Sequence, residues 1–167
     1  TESDWEAISN TFDELDKYPL EELSWSYNKV SESLIQYLPK NTKLTTLFLT
    51  NCFDVEQDLK VYQTFCSQLP NMSALSNLVI KGSDGLELRE QASELLEALK
   101  QVKTLNLLII DGNKIKDDGV QEIKDLVAAS NSISTVSFDS SYISSIDVLR
   151  ELIEAGSARR RPLHISW

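Results

Sequence analysis

A spaced leucine motif that returns five times constrains this chain more than any other feature. The first copy is Leu20-x-x-Leu23-x-Trp25-x-x-Asn28-x-Val30. The second is Leu44-x-x-Leu47-x-Leu49-x-x-Cys52-x-x-Val55, and the third is Leu75-x-x-Leu78-x-Ile80-x-x-Ser83-x-x-Leu86. Leu105-x-x-Leu108-x-Ile110-x-x-Asn113-x-Ile115 is the cleanest copy, and Ile133-x-x-Val136-x-Phe138-x-x-Ser141-x-Ile143 is the fifth. A short alternating run, Leu163-x-Ile165-x-Trp167, follows. The alternation inside each copy is that of a strand with one buried face. A single unit of this kind cannot hide its apolar face alone, whereas stacked units bury a continuous core.

The copies start at residues 20, 44, 75, 105 and 133, offsets of 24, 31, 30 and 28. Such intervals hold a strand, a turn, a helix and a return loop. The intervening segments carry helical periodicity. Leu59, Tyr62, Phe65, Cys66 and Leu69 share one face, as do Leu88, Ala92, Leu95, Leu96 and Leu99. Val120, Ile123, Leu126 and Val127 form a third such face, for which Asp117 or Asp118 is the expected N-cap, and Ile146, Leu149, Leu152 and Ile153 form a fourth.

This pairing of strand motif and helix resembles the leucine-rich repeat family, and within it the ribonuclease-inhibitor-like class. The resemblance covers residues 20–167. It implies an α/β fold: a leucine-rich-repeat solenoid, a right-handed β-α superhelix of about five repeats, with parallel strands on the concave face and helices on the convex face. Leu23, Leu47, Leu78, Leu108 and Val136 would point inward, with Trp25, Leu49, Ile80, Ile110 and Phe138 beside them. Asn28 and Asn113 would close the turns after their strands by bonding to backbone groups, and Cys52 is an accepted substitute there. One domain is expected over residues 1–167: a capping helix within 1–19, repeats over 20–158, and an edge strand within 159–167. The cap is read from Trp5, Ile8, Phe12 and Leu15 at helical spacing, with Glu2, Asp4, Glu6, Asp13, Glu14 and Asp16 opposite. A helix covering the first strand resembles the architecture of tropomodulin C-terminal domains.

Charge narrows the function classes. The net charge is −10, and nucleic acid binding needs clustered cations to displace counterions, so nucleic acid is not an expected partner. No run of apolar residues is long enough for a membrane span, and the first residues lack the basic and apolar regions of a signal peptide. The chain does not start with Met, which suggests a processed or trimmed sequence with flanking domains out of view. Cys52 and Cys66 read as reduced and buried, pointing to a cytoplasmic or nuclear protein. Arg159-Arg160-Arg161 follows a helix, where cations suit the negative helix end; the other reading is a docking site for an acidic partner. Glu87, Glu90, Glu94 and Glu97 suggest a solvated negative ridge.

Binding is expected on the concave sheet. Strand alternation sets Ser24, Phe48, Val79, Ile109, Ser137 and His164 in a central column. Glu22, Thr46, Asn77, Leu107, Thr135 and Pro162 lie to one side, and Ser26, Thr50, Lys81, Asp111, Asp139 and Ser166 to the other. Phe48, Val79 and Ile109, with Leu107, make an apolar stripe that would anchor a protein partner, oriented by Lys81, Asp111 and Asp139. Such residues also simply suit strands and pack sideways. No catalytic residue, cofactor, metal or small-molecule substrate is expected: one histidine and two separated cysteines lack metal-ligand spacing, and Asp111-Gly112-Asn113 is a turn signal, not a phosphate loop. The alternatives are a GTPase-activating protein of the Ran-activator type, with Arg89, Asp117 and Asp118 in loops after strands, and the sensor or substrate-recognition arm of a larger receptor or ubiquitin ligase adaptor.

Overall fold

A computed structural model describes residues 11, 19–139 and 142–167. The expected capping helix over residues 2–17 and the turn at Ser141 lie outside the described residues, apart from Thr11, which is exposed. Six strands pair in chain order into one parallel sheet: β1 (Glu22–Ser26), β2 (Thr46–Thr50), β3 (Asn77–Lys81), β4 (Leu107–Ile109), β5 (Thr135–Ser137) and β6 (His164–Ser166). Between them run five helices: α1 (Glu32–Tyr37), α2 (Leu59–Gln68), α3 (Ala92–Leu99), α4 (Lys116–Ala129) and α5 (Ile146–Ser157). Each helix contacts the next along the chain. Parallel neighbours need a long crossover, and the intervals between motif copies supply one with a helix in it. The result is a leucine-rich-repeat-like α/β fold.

The register follows the motif. Leu23 pairs with Leu47, Leu47 with Leu78, Leu78 with Leu108, Leu108 with Val136, and Val136 with Ile165. Leu47, Leu78, Leu108 and Val136 have no exposed surface. They share one buried cluster with Tyr62, Phe65, Leu95, Leu96, Ile123 and Leu126 of the helices, so the core lies between sheet and helices. Fully burying each such side chain contributes about 1.5–3 kcal/mol. Trp25 and Leu23, on the first strand, are only partly buried.

Four expectations need correction. A helix stands at Glu32–Tyr37 where none was assigned; Ser31 Oγ accepts from Leu34 N at 3.2 Å, and Leu34, Ile35 and Tyr37 are buried. Neither Asp117 nor Asp118 is an N-cap, because α4 begins at Lys116 after Ile115 and has no side-chain cap bond. Asp117 instead bridges forward, taking hydrogen bonds from Ser144 N at 3.0 Å, Ser144 Oγ at 2.5 Å and Ser145 N at 3.1 Å. These bonds hold its carboxyl below its ordinary range. On α5, Leu152 is buried but Ile146 and Ile153 are 73% and 42% exposed. As the last of the described helices, α5 has a neighbour on one flank only. Finally, β6 is shifted by two residues: His164 pairs with Thr135 and Ser166 with Ser137. His164 therefore leaves the central column for the row of Thr46 and Asn77, Ser166 takes its place, and Pro162 precedes the strand.

Candidate functional site

Strand alternation puts Phe48, Val79 and Ile109 on the sheet face turned away from the helices, since Leu47, Leu49, Leu78 and Leu108 all lie in the core with them. The three are adjacent in register: Phe48 faces Val79, and Val79 faces Ile109. Phe48, Leu107 and Ile109 are half-buried. Val79 is only 4% exposed although it lies outside the core cluster, so its neighbours in the sheet cover it. The centre of the expected stripe is thus closed by sideways packing, and its accessible apolar surface belongs to Phe48, Ile109 and Leu107.

The polar residues beside the stripe are partly committed to one another. Lys81 Nζ lies 3.4 Å from Asp111 Oδ2. Asp111 Oδ1 accepts from Ser137 Oγ at 2.6 Å and from Asp139 N at 3.0 Å. Asp111 therefore joins three successive strand ends, whereas the side chains of Lys81 and Asp139 stand exposed. On the other row, Asn77 Nδ2 donates to Thr46 Oγ1 at 3.0 Å.

The turns that follow the strands form a second ladder. Tyr27 N donates to Thr50 O, Asn51 N to Lys81 O, Gly82 N to Asp111 O, and Gly112 N to Asp139 O, at 2.7–3.2 Å. Asn113, fully buried, anchors this ladder as its motif position requires: Nδ2 donates to Ile80 O at 2.8 Å and Ile110 O at 2.9 Å, and Oδ1 accepts from Leu88 N at 3.1 Å. Cys52 fills the equivalent place with its thiol, Sγ donating to Trp25 O at 3.0 Å and Thr50 O at 3.2 Å. Asn28 is exposed, and its side-chain amide donates to Ser26 O within its own turn.

Glu87 does not belong to the expected acidic ridge. Its side chain is 3% exposed, with Lys114 Nζ at 2.7 Å and Arg89 Nη2 at 3.4 Å. The Lys114 bond holds its carboxyl below the ordinary value. Arg89 also pairs with Glu56. Of the loop residues weighed for a GTPase-activating role, Arg89 is held in ion pairs and Asp117 by the serines of the next turn, whereas Asp118 is exposed. Among the described residues, no three His, Cys, Asp or Glu side chains gather as metal ligands.

Comparison with known proteins adds one finding. No family model and no curated protein matches the chain. Among solved structures, it is similar to the leiomodin-1 actin-binding site 2, with a TM-score of 0.64 and 14% identity, over 87% of this chain and 85% of that one. At that identity the likeness establishes the fold, and it agrees with the leucine-rich-repeat-like sheet read from the motif.

Sequence reasoning passed over the rim formed by these turns. Tyr27 and Tyr142 are 76% and 70% exposed and hold left-handed backbones, at φ 58° and 55°. Lys114 Nζ lies 5.8 Å from the centre of the Tyr142 ring. Alignment with Gly112 marks Tyr27 as a position that favours glycine or asparagine. Placing a tyrosine there was the available signal.

Proposed function

We propose that this chain is a non-catalytic protein-interaction module that holds a protein partner on the sheet face turned away from the helices, as part of a larger protein or complex. The observation that carries this reading is the stripe of Phe48, Leu107 and Ile109, half-buried apolar side chains beside exposed Lys81 and Asp139. Apolar surface rimmed by polar groups is the usual form of a binding patch. Aromatic anchors such as Phe48 tend to carry much of the energy of such contacts. The solved structure of like fold is an actin-binding domain, which supports a role in protein interaction and makes actin the first partner to try. The reading needs no cofactor, metal or small-molecule substrate.

The test is co-sedimentation with filamentous actin, together with a pull-down from the native source, comparing wild type with Phe48→Asp/Ile109→Asp. Retention by wild type and loss in the folded double variant is the expected result. Equal retention by both proteins, with the double variant still folded, would defeat the proposal.

A further inference from the structure

The β6 end of the sheet carries a second surface, distinct from the stripe. Two clefts meet there. The first, of about 620 Å³, has Ile153, Gly156, Leu163, Ile165 and Trp167 in its lining. Ile153 and Trp167 are 42% and 52% exposed. The second, of about 770 Å³, gathers Lys103, Arg159, Arg160 and Arg161, with Lys100, which is paired with Glu97, and has no Asp or Glu side chain in its lining. Arg159 and Arg160 line both, so the two clefts adjoin at these arginines.

Charge sorting makes this groove unusual. The chain has 26 acidic and 16 basic residues, so a random stretch of its surface would show carboxylates first. The three arginines have different duties. Arg159 donates to Ile133 O at 2.6 Å and Ser130 O at 2.7 Å. Ser130 is the C-cap of α4, so this arginine offsets the carbonyl end of the helix, which would otherwise repel an anion. The favoured position of cations beyond a helix end thus explains Arg159, acting on the helix of the preceding unit, and it leaves its two neighbours unexplained. Arg160 and Arg161 are exposed and have no ion-pair or hydrogen-bond partner among the described residues.

We propose that this end binds an acidic amphipathic segment of a partner protein, its apolar side chains against Ile153 and Trp167 and its carboxylates on Arg160 and Arg161. Guanidinium groups match carboxylates in a two-bond geometry, and a free arginine beside an exposed tryptophan is the composition of a binding hot spot. A long polyanion is disfavoured by the −10 charge of the whole chain, whereas a short acidic segment meets only the local field.

Fluorescence anisotropy tests this with a labelled synthetic peptide of alternating Leu, Phe and Glu, and its counterpart with Lys in place of Glu. The Glu peptide should bind wild type and the Lys peptide should not. Affinity should fall about tenfold or more in Arg160→Glu/Arg161→Glu, fall also in Trp167→Ala, and weaken with salt. Phe48→Asp/Ile109→Asp should bind the peptide as wild type does, which separates this site from the stripe. The arginines are exposed, so matching thermal melts should establish that the variants are folded. Absence of binding by wild type, equal binding of the Lys peptide, or indifference to the arginine change would overturn the proposal. So would tighter capture of a single-stranded oligonucleotide or phosphatidylserine vesicles, or dimerisation that the arginine change abolishes.

Discussion

The amide of Asn113 occupies the space that a side chain at residue 82 would need: a Cβ on Gly82 would lie 2.5 Å from Asn113 Oδ1. The two residues sit in successive turns, and each explains the other. Gly82 leaves room for the asparagine, which bonds to the carbonyls of Ile80 and Ile110 and to the amide of Leu88. Gly112 plays a different part. It has φ +75°, and a Cβ there would meet Gly82 O at 2.1 Å, so glycine is required both by the backbone and by the neighbouring turn.

Asn113→Ala should lower the free energy of unfolding by about 3 kcal/mol, because it strands several buried backbone groups at once. Gly82→Ala should cost about 1–3 kcal/mol through overpacking, since its Cβ would also meet Leu86 O at 2.8 Å. The double variant should lose less than the sum, the Oδ1 clash being gone. Urea denaturation of the four proteins closes the cycle, and strict additivity would show that the two turns are not coupled.

The sheet face turned away from the helices should divide by burial. Val79→Asp puts a carboxylate where only 4% of the residue is exposed, and should destabilise by about 2–4 kcal/mol. Phe48→Asp and Ile109→Asp start from half-buried positions and should cost about 1 kcal/mol each. Melting temperatures would check this ordering; a Val79 variant as stable as the other two would mean that the stripe is open along its whole length.

The buried Glu87 gives stability an acid-side pH dependence. Its bond to Lys114, opposed by burial, keeps its carboxyl below the ordinary value of 4.5. A lowered folded pKa means that the unfolded chain binds the proton more readily, so this contribution is present above about pH 4.5 and is lost as pH falls through the folded value. Lys114→Met should cost about 1 kcal/mol at neutral pH, since the lysine side chain is 37% exposed, and the gap from wild type should narrow in acid. Urea midpoints at a series of pH values would show it. A gap independent of pH would assign the lysine's effect to packing instead.

The motif made most of the sheet legible, because a buried strand leaves a period of two and its spacing fixes register. Leu78, Leu108 and Val136 occupy adjacent strands and are buried as their positions require. Asn113 and Cys52 were readable for the same reason: one polar position must satisfy the turn. What escaped depends on neighbours in space. Helix α1 has six residues, too short for periodicity to announce it, although Ser31 before Leu34 and Pro39 after Tyr37 were available boundary signals. Glu87 looked like one more surface carboxylate, and only Lys114, 27 residues on by sequence position, makes it a buried one. The frame of β6 was lost because alternation shows which residues share a face but not which of them stands opposite Val136; that partner is Ile165, two residues further along than Leu163. Of the candidate stripe, the column was legible and the burial of Val79 was not, since sideways cover comes from strands distant in sequence.

The thiols should be silent in the folded chain. Burial pushes the Cys66 thiol up to about 12, and burial also raises that of Cys52 against the lowering effect of its backbone hydrogen bonds. Because the thiolate is the reactive form, a disulfide reagent at about pH 8 should find almost none on Cys66, while both cysteines react in denaturant. Cys52, 6% exposed near the first strand, should react before Cys66, 1% exposed between helices and sheet. Cys52→Ser keeps a donor for the carbonyls of Trp25 and Thr50 and should be tolerated better than Cys52→Val, which leaves both with one partner fewer. Timed labelling read by mass spectrometry, with urea melts of the two variants, measures both effects. Equal labelling rates at both cysteines, or a valine variant more stable than the serine one, would mean that Cys52 acts only as a small apolar filler.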